Sequence, residues 1–373
     1  MTTASSVSAS PVPAVSHLPT RVNLTADPTF TLSPFQSCVT VVPGKDGYVP
    51  SWACNSNYNY NPSRAAAIIF AVLFGITTFL HIYQAITYSK KKLCWVIIMG
   101  SLWEFASFAI RSASTKNQQS EQLAFWSQLL VLLAPMWVNA FDYMVLGRMI
   151  HFFIPEKKVW RIKSTQIAKI FVWLDILSFL TQLAGGVLIA PGGGESQKEI
   201  MMGIHIYMGG IGLQELCILC FTAIATRFLF IKKREQKEIE RNRMITDRPT
   251  NWLPLLVVLY GSLALITMRI IYRLDEFAAG LDPTKNKLPY HEVYFYVLDA
   301  LPMFIAIGLM NIIHPGSVLV GPESEFPKGP SRKEKKAIKA AKKAEKQAVK
   351  EEKKMAKMMM RKQQQQSDGG EIV

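Results

Sequence analysis

The chain has 373 residues, 50% of them hydrophobic and only 18% charged, with a formal net charge of +15. An average soluble domain carries about 25% charged residues, so this composition argues against a soluble enzyme of similar length. Most of the positive charge lies in residues 328–362, which hold 15 Lys and Arg against 4 Asp and Glu. The rest of the chain is apolar and nearly neutral, which indicates an integral membrane protein with a polar tail at each end.

Seven apolar segments follow one another, each close to the roughly 20 residues with which a helix crosses a bilayer. They are Ala65–Tyr88, Leu93–Ile110, Ala124–Leu146, Ile167–Leu188, Ile204–Thr226, Leu253–Ile271 and Val293–Ile313. None alternates between polar and apolar residues as the strands of a membrane barrel do. Helices are the other structure that satisfies every backbone group in lipid. The sequence therefore predicts an all-α integral membrane protein with a seven-transmembrane-helix bundle over residues 65–316.

Basic residues are distributed unevenly between the loops. The loops after the first, third and fifth segments hold 16 Lys and Arg, and the alternate loops hold 6. Because Lys and Arg are enriched on the cytoplasmic side, this asymmetry predicts an N-terminus outside and a C-terminus in the cytoplasm. Residues 1–64 are then an extracellular tail, and residues 317–373 are a cytoplasmic Lys-rich tail.

The N-terminal tail has two features that suit the outside of a cell. Asn23 begins the glycosylation signal Asn-Leu-Thr, and Cys38 and Cys54 are candidates for a disulfide. The tail has no compact apolar stretch of the kind found in a cleavable signal peptide. We therefore expect the first apolar segment to direct membrane insertion.

The C-terminal tail is rich in Lys, Ala, Glu and Met, a composition that favours a helix. One interpretation is that it lies on the anionic lipids of the inner leaflet, where each basic residue contributes about 1 kcal/mol. The alternative is a solvated, disordered charged tail. We expect no nucleic acid as a partner, because the tail is tethered to a membrane.

Polar side chains interrupt the apolar segments at helical spacing. The candidates for lining a cavity are Glu104, Arg111, Asp175, Gln182, Gln214, Arg269, Arg273, Glu276, Glu292, Tyr296 and Asp299. Such groups are costly in lipid and usually face the bundle interior or a cavity. Two compatible interpretations remain open: a set of ion pairs that joins the helices, and a polar cavity, open toward the outer leaflet, that holds the head group of an amphiphile. Arginine suits phosphate or carboxylate, and the carboxylates suit an amine.

Six histidines allow a test for a metal-dependent membrane hydrolase. His81, His151 and His314 are expected at the cytoplasmic side, while His205 and His291 are expected at the outer side. No two lie on one segment at ligand spacing, and the chain has no H-E-x-x-H, G-x-S-x-G or P-loop motif. The sequence therefore predicts neither a metal site, a cofactor nor an ATPase.

The polar motifs resemble, in their order, those of the fungal lipid-translocating exporters, the RTA-like proteins named for resistance to aminocholesterol. The matching stretches are Tyr60-Asn61-Pro62-Ser63, His81, Glu104 with Arg111, Ala134-Pro135, Leu146-Gly147-Arg148, Asp175 with Gln182-Leu183-Ala184-Gly185-Gly186, Gly209-Gly210-Ile211-Gly212-Leu213-Gln214, Arg269-Ile270-Ile271-Tyr272-Arg273-Leu274-Asp275-Glu276, His291-Glu292, Tyr296-Val297-Leu298-Asp299 and His314-Pro315-Gly316. The resemblance implies a seven-helix fungal protein, usually of the plasma membrane. It also implies export of sphingoid long-chain bases, resistance to toxicants or, in one branch, porphyrin uptake.

Three functional hypotheses follow. The first is a transporter for an amphiphile, most of all a sphingoid base, in which Glu104, Glu292 and Asp299 meet the amine while Arg269 and Arg273 orient these acids. The second is a receptor-like or regulatory protein that senses lipid without moving it. The third, a membrane lipid hydrolase, agrees least with the positions of the histidines. The expected partners are membrane lipids or other amphiphiles.

Overall fold

The structure, a computed structural model, describes residues 40–50, 53, 55–189, 196–241, 251–278, 287–326 and 332–368. Six long helices come first: α1 Arg64–Thr87, α2 Lys91–Ser114, α3 Glu121–Phe153, α4 Ser164–Ile189, α5 Gln197–Arg241 and α6 Leu253–Ala278. The seventh span, Glu292–Val318, consists of α7 Glu292–Phe295, a π-helical turn Tyr296–Ala300, α8 Leu301–Ile312 and α9 Pro315–Val318. A further helix, α10 Arg332–Asp368, follows. Asn23, Cys38 and Cys54 lie outside the described residues.

Seven of these units are long and apolar enough to cross a membrane, so the all-α, seven-helix prediction is confirmed. Helices adjacent in sequence pack against each other from α1 to α6, and α8 closes the bundle against α6 and α1. The outward faces carry exposed apolar side chains such as Phe79 and Trp173. These faces suit contact with lipid, because lipid tails are as apolar as the side chains themselves.

Helix α3 lies in the middle of the bundle and positions most of the polar interior. It packs against α2, α4, α5 and α6. Its side chains from Phe141 to Met149 are nearly all buried, although they include Asp142 and Arg148. Because a buried polar group needs a partner, neighbouring helices that contribute polar side chains are held in register with α3.

Helices α3 and α5 extend well beyond their apolar segments. Arg148, predicted to lie in a loop, is buried within α3, which continues to Phe153. Similarly, α5 runs on to Arg241, and its basic end carries the pair of Lys232 with Glu235 at 2.7 Å. Hydropathy marks only the lipid-compatible part of a helix, whereas backbone hydrogen bonding continues until a turn or cap ends it.

Candidate functional site

Two arginines share one buried carboxylate between α6 and the seventh span. Asp299 Oδ1 accepts a hydrogen bond from Arg269 Nε, and Oδ2 accepts one from Arg273 Nη2. Arg269 and Arg273 lie one turn apart on the same face of α6. The three side chains are at most 6% exposed. Their mutual attraction therefore acts in a poorly solvated environment, where removing one partner is far more costly than in water.

Each arginine also has a second partner. Arg269 Nη2 donates to the carbonyl oxygen of Val131 in α3 at 3.0 Å. Arg273 Nη1 donates to Glu276 Oε2 at 2.9 Å. Together with the bonds to Asp299, these contacts connect α3, α6 and the seventh span in one polar cluster.

The position of Asp299 depends on the π-helical turn. The backbone N–H of Leu301 donates to the carbonyl oxygen of Tyr296, five residues back, which inserts an extra residue into the helix. Pro302 follows and has no N–H with which to continue the α-helical pattern. Both Tyr296 and Asp299 are consequently buried. The predicted spacing of Glu292, Tyr296 and Asp299 assumed a regular helix and did not anticipate this turn.

A second ion pair lies where the segment before α1 meets α2 and α7. Arg111 Nη2 lies 3.4 Å from Glu292 Oε1 and donates to Tyr60 Oη at 2.6 Å. The other carboxylate oxygen of Glu292 accepts from the backbone N–H of Ser63 at 2.6 Å. The guanidinium carbon of Arg111 is 4.4 Å from the ring centre of Phe295, within range of a cation–π interaction.

Tyr60 was not among the predicted site residues, although it belongs to the motif that precedes α1. The ordinary pKa of a tyrosine hydroxyl lies far above neutral pH, and burial raises the pKa of Tyr60 further, so the group is a neutral partner for Arg111. The motif Tyr60-Asn61-Pro62-Ser63 thus supplies two contacts, one to Arg111 and one to Glu292. Only the fold reveals these partners, because they are far away in sequence.

Glu104 of α2 is a further acid of this region. It is 1% exposed, and within the described chain its Oε1 atom has no hydrogen-bond partner. Its electrostatic neighbours are Arg269, Arg273 and Asp299. A carboxyl oxygen without a described partner therefore lies beside the cluster of Arg269, Arg273 and Asp299. The formal net charge of these three side chains is positive.

The remaining candidates lie between α3, α4 and α5. Gln182 Nε2 of α4 donates to Gln214 Oε1 of α5 at 3.0 Å. Asp175 Oδ2 accepts from Tyr143 Oη at 3.0 Å and from Asn139 Nδ2 at 3.3 Å. The eleven predicted residues are thus brought together in three groups: the Arg269–Asp299–Arg273 cluster with Glu276 and Glu104, the Arg111–Glu292 pair beside Tyr296, and the α4 side chains with Gln214.

Two of the histidines, His81 and His314, take part in helix packing. His81 Nε2 lies 3.2 Å from the carbonyl oxygen of Ile307. His314 Nδ1 accepts from the backbone N–H of Gly316 at 3.0 Å, and its ring stacks on Tyr88. In the described part of the chain, no three His, Cys, Asp or Glu side chains are grouped so that they could hold a metal ion.

Seven apolar helices around a buried, ion-paired interior define a multi-pass membrane protein. A family model described as "RTA1 like protein" matches residues 97–321, and the chain belongs to this family, as its motifs predict. No solved structure is significantly similar to the chain.

The chain is similar to three fungal proteins in particular. The chain is 45% identical to the "Probable lipid transporter atnI" of Emericella nidulans over 304 residues, which are 80% of this chain and 77% of that protein. It is 26% identical to the "Sphingoid long-chain base transporter RSB1" of Saccharomyces cerevisiae, over 74% of this chain and 79% of that protein. It is also 26% identical to the "Protoporphyrin uptake protein 1" of Saccharomyces cerevisiae, over 68% of this chain and 90% of that protein.

Proposed function

We propose that this protein moves an amphiphilic lipid, a sphingoid long-chain base or a related lipid, across a membrane. Such transport would contribute to resistance against lipid and toxicant stress. The observation that carries the proposal is the buried carboxyl of Glu104, whose Oε1 atom has no hydrogen-bond partner among the described residues and which lies beside the Arg269–Asp299–Arg273 cluster. The names of the relatives from Emericella nidulans and Saccharomyces cerevisiae support a lipid as the substrate.

The contacts suggest a division of roles among the acids. Both oxygens of Asp299 accept from arginines, so this residue holds Arg269 and Arg273 in place. Glu104 offers the acceptor for the amine of a sphingoid base, whose ammonium would otherwise be unpaired among apolar helices. Glu292, paired with Arg111, lies at the end of the bundle where the chain enters α1 and α7. The hydrocarbon tail of the lipid would lie along the apolar faces of the helices.

The chain itself carries no ATP-binding motif, so the movement would be facilitated or coupled to an ion. We infer a transporter rather than an enzyme, since the relatives are named for transport. We also propose the plasma membrane as its location, with the N-terminus outside and residues 317–373 in the cytoplasm, as the loop charges predict.

The basic helix α10 is proposed to lie on anionic lipids of the inner leaflet. It spans Arg332–Asp368 and exposes Val349, Met355, Met358 and Met359 among its lysines. Apolar and basic side chains together are typical of helices at a lipid surface. The tail should therefore bind the bilayer less tightly as the salt concentration is raised. Limited proteolysis of the purified protein in liposomes would measure this: anionic lipid should protect α10 from cleavage, and added salt should remove the protection.

The decisive experiment is reconstitution of the purified full chain in liposomes with a fluorescent sphingoid base. Wild-type protein should accelerate crossing of the bilayer, and Glu104→Gln should abolish that acceleration, since a neutral amide cannot pair with an ammonium group. Glu121→Gln, an exposed carboxylate at the start of α3, is the matched control and should transport like wild type.

Other outcomes would identify a different function. Saturable binding without crossing would favour the lipid-sensing, receptor-like alternative. Products of cleavage in the liposomes would favour a hydrolase. If folded wild-type protein neither binds nor moves the base, the proposed substrate is wrong, and porphyrins and sterols are the next ligands to test.

A further inference from the structure

A buried acid of α4 is hydrogen-bonded to α3 in the interior of the bundle. Asp175 is 3% exposed, and its Oδ2 atom accepts hydrogen bonds from Asn139 Nδ2 at 3.3 Å and from Tyr143 Oη at 3.0 Å. Both donors belong to α3 and lie one helical turn apart, so they share a face of that helix. Asp175 is therefore held by one face of α3.

No basic side chain is paired with Asp175 among the described residues. The titratable side chains that interact electrostatically with it are Tyr143 of α3 and Cys217 of α5. Strand β2, Ile162–Lys163, also packs against α4, but its Lys163 is exposed and lies about three helical turns before the acid. An ionised Asp175 would thus be a buried charge without a counter-charge, which a protein commonly avoids by neutralising the group.

Aromatic rings pack beside this contact. The ring centre of Tyr143 lies 5.3 Å from that of Phe171 and 4.6 Å from that of Phe221, and the two phenylalanine rings are 5.5 Å apart. Phe171 precedes Asp175 by one turn of α4, and Phe221 belongs to α5. All three rings are buried. They offer little solvation to a charge on the acid.

Two oxygens of the contact have no hydrogen-bond partner within the described chain: Asp175 Oδ1 and Asn139 Oδ1. If the acid is ionised, both atoms are acceptors and cannot satisfy each other. A single proton on Asp175 Oδ1 changes this, because the resulting hydroxyl can donate to Asn139 Oδ1. Together with the existing bond from Asn139 Nδ2, acid and amide would then be joined by two hydrogen bonds that run in opposite directions.

We propose that Asp175 is a proton-binding site, which at neutral pH carries a proton on Oδ1 and donates it to Asn139 Oδ1. A water molecule could donate to both oxygens, but it would leave the charge of the acid in place. Metal cations such as Mg²⁺ and Ca²⁺ take about six or more oxygen ligands, whereas this contact offers two unpartnered oxygens within the described chain. A proton needs one donor and one acceptor and removes the charge as well.

The proton would strengthen the attachment of α4 and α5 to α3. Ser178 Oγ of α4 donates to the carbonyl oxygen of Gly210 in α5 at 2.5 Å, and Gln182 of α4 donates to Gln214 of α5. These bonds join α4 to α5, and Asp175 links α4 to α3. Loss of the proton would leave a charge and two facing acceptors in this link. The α4–α5 pair would then be held less tightly against α3.

Equilibrium unfolding of the detergent-purified full-length protein tests for the proton. In an unfolded chain an aspartate is ionised above about pH 4. A proton that the folded protein holds and the unfolded chain releases makes stability fall as pH rises. One such proton should raise the unfolding equilibrium constant about ten-fold per pH unit, from about pH 5 up to the pH at which the folded protein releases it.

The variant Asp175→Asn mimics the protonated acid. Its amide can donate to Asn139 Oδ1 while its carbonyl oxygen accepts from Asn139 Nδ2 and Tyr143 Oη. We expect it to fold, to be at least as stable as wild type at neutral pH, and to lose the contribution of one proton to the pH dependence. The control Glu121→Gln changes an exposed acid of α3 and should keep the pH dependence of wild type.

Infrared spectra give an independent measurement. The difference between wild type and Asp175→Asn at neutral pH should contain the carbonyl band of a protonated carboxyl group, which shifts in heavy water. Asn139→Leu removes the hydrogen-bond partner of the proton and should move this band to higher frequency. If Asp175→Asn fails to fold, the comparison of wild type with Asn139→Leu provides the decision, and an unmoved band would overturn the proposal.

Three further results would contradict the site. The first is a marked loss of stability in folded Asp175→Asn at neutral pH without a carboxyl band in the difference spectrum, which would indicate an ionised acid. The second is an equal pH dependence in wild type and Asp175→Asn. The third is stabilisation of wild type by sodium, with choline as the replacement ion, that Asp175→Asn abolishes, which would assign the site to sodium. These measurements need no lipid, so they decide the proton site independently of the proposed transport.

Discussion

Arg111 of α2 and Glu292, the first residue of α7, form an ion pair with 3.4 Å between Nη2 and Oε1. The pair joins parts of the chain that are 181 residues apart. It is reinforced by Tyr60 and by the backbone of Ser63, so that the segment before α1 is held against the end of the bundle. The N-terminal ends of the first and the seventh spans are consequently linked to each other by these contacts.

Replacing Tyr60 by Phe should test this connection. The change removes the hydroxyl that accepts from Arg111 Nη2 at 2.6 Å and leaves this buried nitrogen with only the longer contact to Glu292. Hydrogen bonds to charged groups contribute about 1.5–3 kcal/mol, so the midpoint of thermal unfolding should fall measurably. Tyr83→Phe, at a position that is 60% exposed on α1, is the control and should unfold like wild type. An equal midpoint for Tyr60→Phe would show that the bond does not stabilise the fold.

Asp299→Asn should be strongly destabilising. It leaves two buried arginines that share a single amide, and breaking a buried ion pair costs about 3–5 kcal/mol. The control is Glu238→Gln, which breaks an exposed pair with Arg234 and should cost no more than about 0.5 kcal/mol. Thermal unfolding of both variants, purified in one detergent, gives the comparison. Similar losses in the two would contradict a special role for Asp299 in holding α6 against the seventh span.

Two neighbouring glycines of α5 should respond in opposite ways to alanine. A Cβ at Gly210 would lie 2.7 Å from Gln182 Cγ and 2.8 Å from Gln182 N, so α4 would have to shift. Such overpacking costs about 1–3 kcal/mol. At Gly209 a Cβ would meet nothing within 4 Å, and alanine should gain up to about 1 kcal/mol from helix propensity.

Unfolding midpoints of Gly210→Ala and Gly209→Ala measure this difference directly. We also expect Gly210→Ala to impair lipid crossing. The added Cβ would displace Gln182, which donates a hydrogen bond to Gln214. A stable Gly210→Ala protein with normal crossing would show that α4 and α5 do not need their close approach.

The orientation of the chain can be checked at Asn23. If the N-terminal tail is outside, the signal Asn23-Leu24-Thr25 is accessible to the glycosylation machinery. The protein from its membrane should then migrate faster after endoglycosidase treatment, and Asn23→Gln should remove the difference. Labelling of a tag at the N-terminus of intact cells is the independent control. A tag that is labelled only after permeabilisation would contradict the predicted orientation.

The spans were predictable because hydropathy is a local property. Every apolar segment corresponds to one span of the bundle, and errors occur at the ends, where Arg148 and the basic residues of α5 continue helices beyond their apolar part. Among the site residues, the spacing of Arg269 and Arg273 was equally informative. Two arginines one helical turn apart share a face of the helix, which agrees with the hypothesis that both orient neighbouring carboxylates.

The partners were not predictable in this way. The π-helical turn brings Asp299 to both arginines, and it arises from the hydrogen bonding around Leu301 and Pro302 rather than from a spacing in the sequence. Tyr60 and Ser63 reach Arg111 and Glu292 across the bundle. Asn139 and Tyr143 were not predicted as site residues. The sequence does not show whether an amide or a phenol in an apolar segment faces lipid or a buried acid.

The sequence alone determined that this protein is a seven-helix membrane protein, because the length and apolarity of a span are set by residues that are neighbours in the chain. Its motifs also identified the family. Only the tertiary structure decided which buried acids are paired with a basic side chain. Asp299 has two arginines, whereas Asp142 and Asp175 have none at ion-pair distance among the described residues. The charge state of a buried carboxyl depends on the groups packed around it, and these come from helices that are distant in sequence.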